Sequence, residues 1–214
     1  MKKILFMGDS ITDAGRDKEN HRHLGYGYAT MVSGVLGAQE PFQYEFVNRG
    51  ISGNRVVDLF GRTRADMIAH QPDYMSILIG INDVWHEYTR HNGVTLEKFE
   101  MVYNLLIEEI KKEIPNVKLL ILEPFLLPGS ATCNCEEHPA RWDYFEPETK
   151  LRAQAARRVA EKHGIVFVPL QEIFDKANVG APHDAYWLRD GVHPTAMGHE
   201  LIKNEWLKAF EKIK

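Results

Sequence analysis

The chain has 214 residues, with 44% hydrophobic and 26% charged side chains and a formal net charge of -4. That length suits one α/β domain spanning residues 1–214 with a substantial core, and the negative balance argues against a nucleic-acid partner, which needs a basic footprint. No apolar run approaches the roughly 20 residues that cross a bilayer, so no membrane partner is expected.

The opening MKKILFMGDS holds too short an apolar run for a secretory signal. Cys133 and Cys135, one residue apart, do not make a disulfide framework. A cytoplasmic location is the expectation. Short apolar runs alternate with amphipathic stretches, the pattern of a parallel sheet covered by helices on both faces.

In chain order, a strand over 3–7 runs into Gly8-Asp9-Ser10-Ile11-Thr12. A serine at a strand-to-helix turn presents its hydroxyl on the ligand side, near helix N-terminal amides that favour negative charge. The plain alternative is that Asp9 or Ser10 simply caps the next segment of chain. Residues 13–27 read as a polar loop, with His21-Arg22-His23 as a solvated run, and 27–36 as a helix. A second strand over 44–48 leads into Asn48-Arg49-Gly50-Ile51-Ser52-Gly53-Asn54-Arg55. Its glycines permit a tight turn and close backbone approach to a ligand, or simply an ordinary βα loop, before a helix over 56–69.

A third strand over 74–79 precedes Gly80-Ile81-Asn82-Asp83-Val84-Trp85. There Asn82 offers a side-chain amide donor, although Asn-Asp is also a routine turn and cap pair. The helix expected over 96–114 sets Phe99, Val102, Tyr103, Leu106, Ile107 and Ile110 on one stripe. Thr95 caps it and Pro115 stops it.

After a strand over 117–122 comes an irregular segment, 124–147, long enough to suggest a lid or binding loop. Its Cys133-Asn-Cys135-Glu-Glu-His138 cluster falls short of a structural zinc site, which spaces paired cysteines by two to four residues. Free thiols on a mobile loop are expected, and no metal. Trp142, Tyr144 and Phe145 in this segment either seal a homo-oligomer interface or pack down on the domain.

A helix over 148–163, a strand over 165–168, a loop over 178–194 and a helix over 196–213 complete the chain. The last loop carries Asp190-Gly191-Val192-His193-Pro194. Two intervening residues let one short loop hold an imidazole and the carboxylate that orients it, which a general base needs. A turn with an exposed histidine is the bland alternative. Three of these motifs follow successive strands and the fourth precedes the last helix, so a doubly wound sheet brings them to one edge.

Together GDSIT, the glycine of GISGN, GINDVW and DGVHP resemble, in order, four blocks of the SGNH (GDSL-like) hydrolase superfamily across nearly the whole chain. Ile11 stands where the older motif wording has leucine. The resemblance implies a three-layer α/β/α flavodoxin-like fold with a five-stranded parallel sheet, and no cofactor. It also implies Ser10 as nucleophile, Asp190 and His193 as orienter and base, and an oxyanion hole from the Ser10 and Gly53 amides and the Asn82 side chain.

The longer patterns GDSITDAGRD, VNRGISGNRV and SILIGINDVW look most like intracellular acetyl esterases acting on xylo-oligosaccharides. The implied partner is therefore a small acylated carbohydrate, with Trp85 and Trp187 as candidate substrate contacts or core anchors. A thioesterase or lysophospholipase is the alternative within enzymes. A flavodoxin-like nucleotide module is the alternative outside them, although neither G-x-G-x-x-G nor a P-loop is present. A catalytically dead carbohydrate-binding protein would lack the serine, aspartate and histidine found here.

Overall fold

A computed structural model describes residues 1–20 and 22–214; His21 lies outside them, while Arg22 and His23 are exposed. Among the described residues, β1 (Lys2–Gly8), β2 (Tyr44–Asn48), β3 (Tyr74–Leu78), β4 (Lys118–Leu122) and β5 (Val166–Val168) form one sheet in the order β2-β1-β3-β4-β5. Every pairing is parallel. This is the flavodoxin-like order, and each strand lies within two residues of its expected place.

Side chains alternate across the sheet, so the strands feed two cores. Ile4 and Phe6 of β1 join one cluster with Tyr28, Val32, Ile202 and Trp206, whereas Leu5 and Met7 join the other with Leu59, Phe99, Tyr103 and Val159. The first cluster is closed by α2 (Tyr28–Gln39), α8 (Gln171–Asn178) and α9 (Ala196–Phe210). The second is closed by α3 (Val56–Gly61), α6 (Leu96–Glu113) and α7 (Arg141–Lys162). Burial on both faces explains why the strand sequences read as continuous apolar runs.

Along α6 the stripe from Phe99 to Ile110 is buried as its period requires, and the Thr95 hydroxyl accepts the Lys98 N–H at 3.4 Å. Other elements depart from expectation. The helix expected over 56–69 is broken into α3, α4 (Thr63–Asp66) and a 3₁₀ turn at Ile68–His70. At the break the Thr63 hydroxyl donates to the Phe60 carbonyl at 2.8 Å, and Arg62 is drawn inward to the Gly8 and Arg49 carbonyls.

The segment 124–147 is not one loop, since α7 begins at Arg141 and continues through Pro147. Proline commonly opens a helix, which is why its position suggested a later start. Tertiary packing decides otherwise: Phe145 is buried between Trp85 and Tyr88, ring centroids 5.6 and 5.3 Å away. Two further helices, α5 (Ile81–Arg90) and α8, were not evident in the sequence. In α5 the inward positions include Asn82 and Asp83, so burial there does not follow apolarity. No described helix is long and apolar enough to cross a membrane.

Candidate active site

β1 ends at Gly8, and Ser10 opens the short helix α1 (Ser10–Asp13). Asp9 is the cap: its Oδ1 accepts the Ile11 N–H at 3.0 Å. The first N–H groups of a helix have no intrahelical acceptors, and in α1 the one on Ile11 is taken by the Asp9 carboxyl. Asp9 is buried, and desolvation pushes its carboxyl up to about 7 despite the Ile11 amide and the nearby His193, which pull the other way.

Across the sheet edge, Ser10 Oγ lies 2.9 Å from His193 Nε2. His193 Nδ1 lies 2.7 Å from Asp190 Oδ2, while Asp190 Oδ1 accepts the backbone N–H groups of Val192 and His193 at 3.0 and 2.8 Å. Burial alone would raise the Asp190 carboxyl, but these donors outweigh it and hold the group at about 2. An ionised Asp190 can only accept, so Nδ1 carries the proton and Nε2 turns its lone pair to the serine hydroxyl.

Two small cavities meet at Ser10 and His193. One, of about 210 Å³, is lined by Ser52, Gly53, Asn82, Trp85, His86, Arg90 and Val192 beside that pair. The other, of about 270 Å³, is lined by Tyr26, Ser52, Arg189, Pro194 and His199. Gly53 has φ +82, a left-handed conformation that glycine adopts without strain. Asn82 sits in the first turn of α5 and donates its amide to the Asn54 carbonyl at 3.1 Å. Gly80 launches that helix at φ +141, where a Cβ would crowd Pro124.

Trp85 lines the first cavity, its ring 6.4 Å from the His193 imidazole. Trp187, a candidate for either a substrate contact or a core anchor, lines neither cavity. Its indole donates to the Ala177 carbonyl at 2.9 Å and its ring packs on Tyr186 at 4.8 Å. That bond ties the last loop to α8, so the ring serves the scaffold.

The segment after β4 also departs from a lid. Leu126 and Leu127 are buried, the Leu127 and Ala131 amides donate to the Gly191 and Asp190 carbonyls at 2.9 Å each, and the Thr132 hydroxyl donates to the Leu127 carbonyl at 2.7 Å. The segment buttresses the loop that carries Asp190 and His193. Cys133 is half-buried and Cys135 exposed on its outer side, both as free thiols.

Other residues that shape the site carried no sequence signal of their own. Asn48 donates to the Thr12 and Leu24 carbonyls at 2.6 and 2.8 Å, Arg16 donates to the Gly50 carbonyl at 2.7 Å, and Asp13 accepts from Ser52. They clamp the Gly53 turn onto α1, and a Cβ at Gly50 would collide with the Asp13 backbone. Asp83 is buried with its carboxylate against the Val56 N–H, and desolvation holds it well above the usual range.

A flavodoxin-like sheet with a serine, an imidazole and a carboxylate in hydrogen-bonded series at its carboxyl edge defines a carboxylic ester hydrolase. The model of the GDSL-like Lipase/Acylhydrolase family matches residues 6–201. The chain belongs to that family. It is 35% identical over 219 residues to an acetylxylan esterase of Geobacillus stearothermophilus, covering 97% of this chain and 93% of the relative.

Among solved structures, a GDSL-like chain from Parabacteroides merdae superposes with a TM-score of 0.88 at 37% identity, covering 98% of this chain and 95% of that one. The acetylxylan esterase Axe2 of Geobacillus stearothermophilus superposes with a TM-score of 0.82 at 34% identity, over 97% and 93%.

Proposed function

We propose that the protein removes small O-acyl groups, chiefly acetyl, from carbohydrates such as xylo-oligosaccharides. In this reading His193 takes the Ser10 proton, Ser10 attacks the ester carbonyl and the alcohol leaves with a proton returned by His193. Water, activated by the same imidazole, then frees the acid from the acyl-serine. The Ser10 and Gly53 amides and the Asn82 side chain hold the tetrahedral oxyanion, Asn82 exchanging its bond to Asn54 for one to substrate.

The observation that carries this reading is the 2.9 Å approach of Ser10 Oγ to His193 Nε2, with Asp190 behind it. The acetyl preference is supported by the 210 Å³ cavity beside Gly53 and Asn82, small against the usual range for ligand pockets. A carbohydrate alcohol is supported by the similarity to an acetylxylan esterase. The exposed free thiol of Cys135 suits a reducing compartment, in keeping with action in the cytoplasm.

The test is acetate release from acetylated xylo-oligosaccharides, wild type against Ser10→Ala. The wild type should release acetate, and the variant should retain only a residue of it. In a p-nitrophenyl ester series, acetate should be the best substrate. A preference for octanoate would favour a thioesterase or lysophospholipase.

A further inference from the structure

His199, on α9, is a second histidine at the mouth of the Ser10–His193 pair, and the mechanism above does not use it. It is 4% exposed. Its Nδ1 accepts the N–H of Tyr28, the first residue of α2, at 3.2 Å, and its ring stacks on Tyr28 with centroids 6.4 Å apart. Gly27 lies so close over the Cε1 edge that a Cβ there would clash with the ring.

Burial, helped by the charges of Arg189 and His193, holds the imidazole down at about 4, so it is neutral in ordinary conditions. A neutral imidazole whose Nδ1 accepts must carry its proton on Nε2. His199 lines the 270 Å³ cavity, and among the described residues its Nε2 has no acceptor.

We propose that His199 is a substrate-binding residue whose fixed Nε2–H donates to a hydroxyl of the sugar that leaves, which assigns the cavity of Tyr26, Arg189 and His199 to the alcohol half of the ester. The assignment rests on the carbohydrate reading above. The chemistry of the walls divides the substrate. Trp85 and Val192 suit a methyl group beside the oxyanion donors, with His86 and Arg90 farther along that cavity, whereas Tyr26, Arg189 and His199 offer hydrogen bonds to a polyol in the other, and Ser52 borders both. His193 borders both cavities, so it can return the proton to the departing oxygen.

His199→Asn keeps an acceptor at the Nδ1 position for the Tyr28 N–H but leaves its amide N–H groups short of the Nε2 position. For an acetylated methyl β-xyloside its KM should rise roughly 3- to 10-fold, the value of one neutral hydrogen bond. For p-nitrophenyl acetate, whose leaving group has no hydroxyl donor or acceptor to match, KM should change less than twofold. His199→Gln, which restores an N–H near the Nε2 position, should recover part of the loss.

Equal losses on both substrates, or none on the xyloside, would overturn the assignment. A wild type that cleaves p-nitrophenyl acetate but not the xyloside would overturn the carbohydrate reading, and this one with it. Should the variants not fold, wild-type protein with ¹⁵N-labelled histidine decides. A shift of the His199 Nε2 signal on adding xylose supports the proposal, and its absence overturns it.

Discussion

At the scale of single residues, the site depends on protons held at particular atoms. Asp190 accepts from two backbone amides and from Nδ1 of His193. Asp190→Asn would present an N–H or a weaker acceptor to Nδ1 and favour the wrong tautomer, so kcat should fall about 10⁴-fold with the fold intact. Steady-state kinetics with p-nitrophenyl acetate, alongside circular dichroism, checks this. On the proposed mechanism Asn82→Ala removes one oxyanion donor and should cost about 10²–10³ in kcat with little change in KM; equal activity would take Asn82 out of the site.

Asp9 gives a pH-dependent prediction. Its folded-state pKa is raised to about 7 from an ordinary 3.8, so its contribution to stability is fully present below pH 4 and is lost as pH rises through 7. Asp9→Asn keeps the cap on the Ile11 amide and does not ionise. Its melting temperature relative to wild type should therefore improve steadily between pH 4 and pH 8, and a gap that stays constant over that range would refute the burial argument. Of these residues, Ser10, Asn82, Asp190 and His193 could be read from motifs, because each sits in a short pattern with a chemical reason for its spacing. His199, Asn48 and Asp13 could not, since their partners lie 24 to 171 positions away in the chain.

At the scale of elements, the segment from Leu126 to Thr132 and the loop that carries Asp190 and His193 behave as one unit. A Cβ at Gly129 would run into the Gly191 amide and the Asp190 carbonyl, and Gly191 has φ +96 with Thr132 against it. Gly129→Ala should push that loop away from Ser10, lowering kcat/KM at least tenfold and slowing fluorophosphonate labelling of Ser10. Unchanged labelling would show that the buttress does not position His193.

Phe145, under Trp85 and Tyr88, holds down the first turns of α7. Phe145→Ala should destabilise by about 3–5 kcal/mol, read from urea unfolding. The strands were legible as short continuous apolar runs, buried on both faces, and α6 by its 3.6-residue period, which local geometry sets. The start of α7 was not, because one aromatic cluster outweighed the local preference of Pro147.

At the scale of the whole molecule, the sheet is a divider between two cores, and the site lies at the carboxyl edge of β1 and β3, where the strand order reverses. The centre of the sheet is covered on both faces, so amides of β1, β3 and β4 should exchange only through global unfolding. The loops at 126–135 and 187–194 should open together at lower free energy. Native-state hydrogen exchange across a denaturant series would show it, and independent opening of the two loops would dissolve the proposed unit.

The sequence by itself determined which strands form, that they lie parallel between helices, and which four motifs meet at one cavity. Those features depend on short-range periodicity and on patterns a few residues long. Only the tertiary structure decided that the segment after β4 is a brace, that Trp187 is tied to α8 while Trp85 lines the first cavity, and that His199 lines the second. Each of these turns on which surface a side chain meets across the sheet edge, and that is settled by packing between distant parts of the chain.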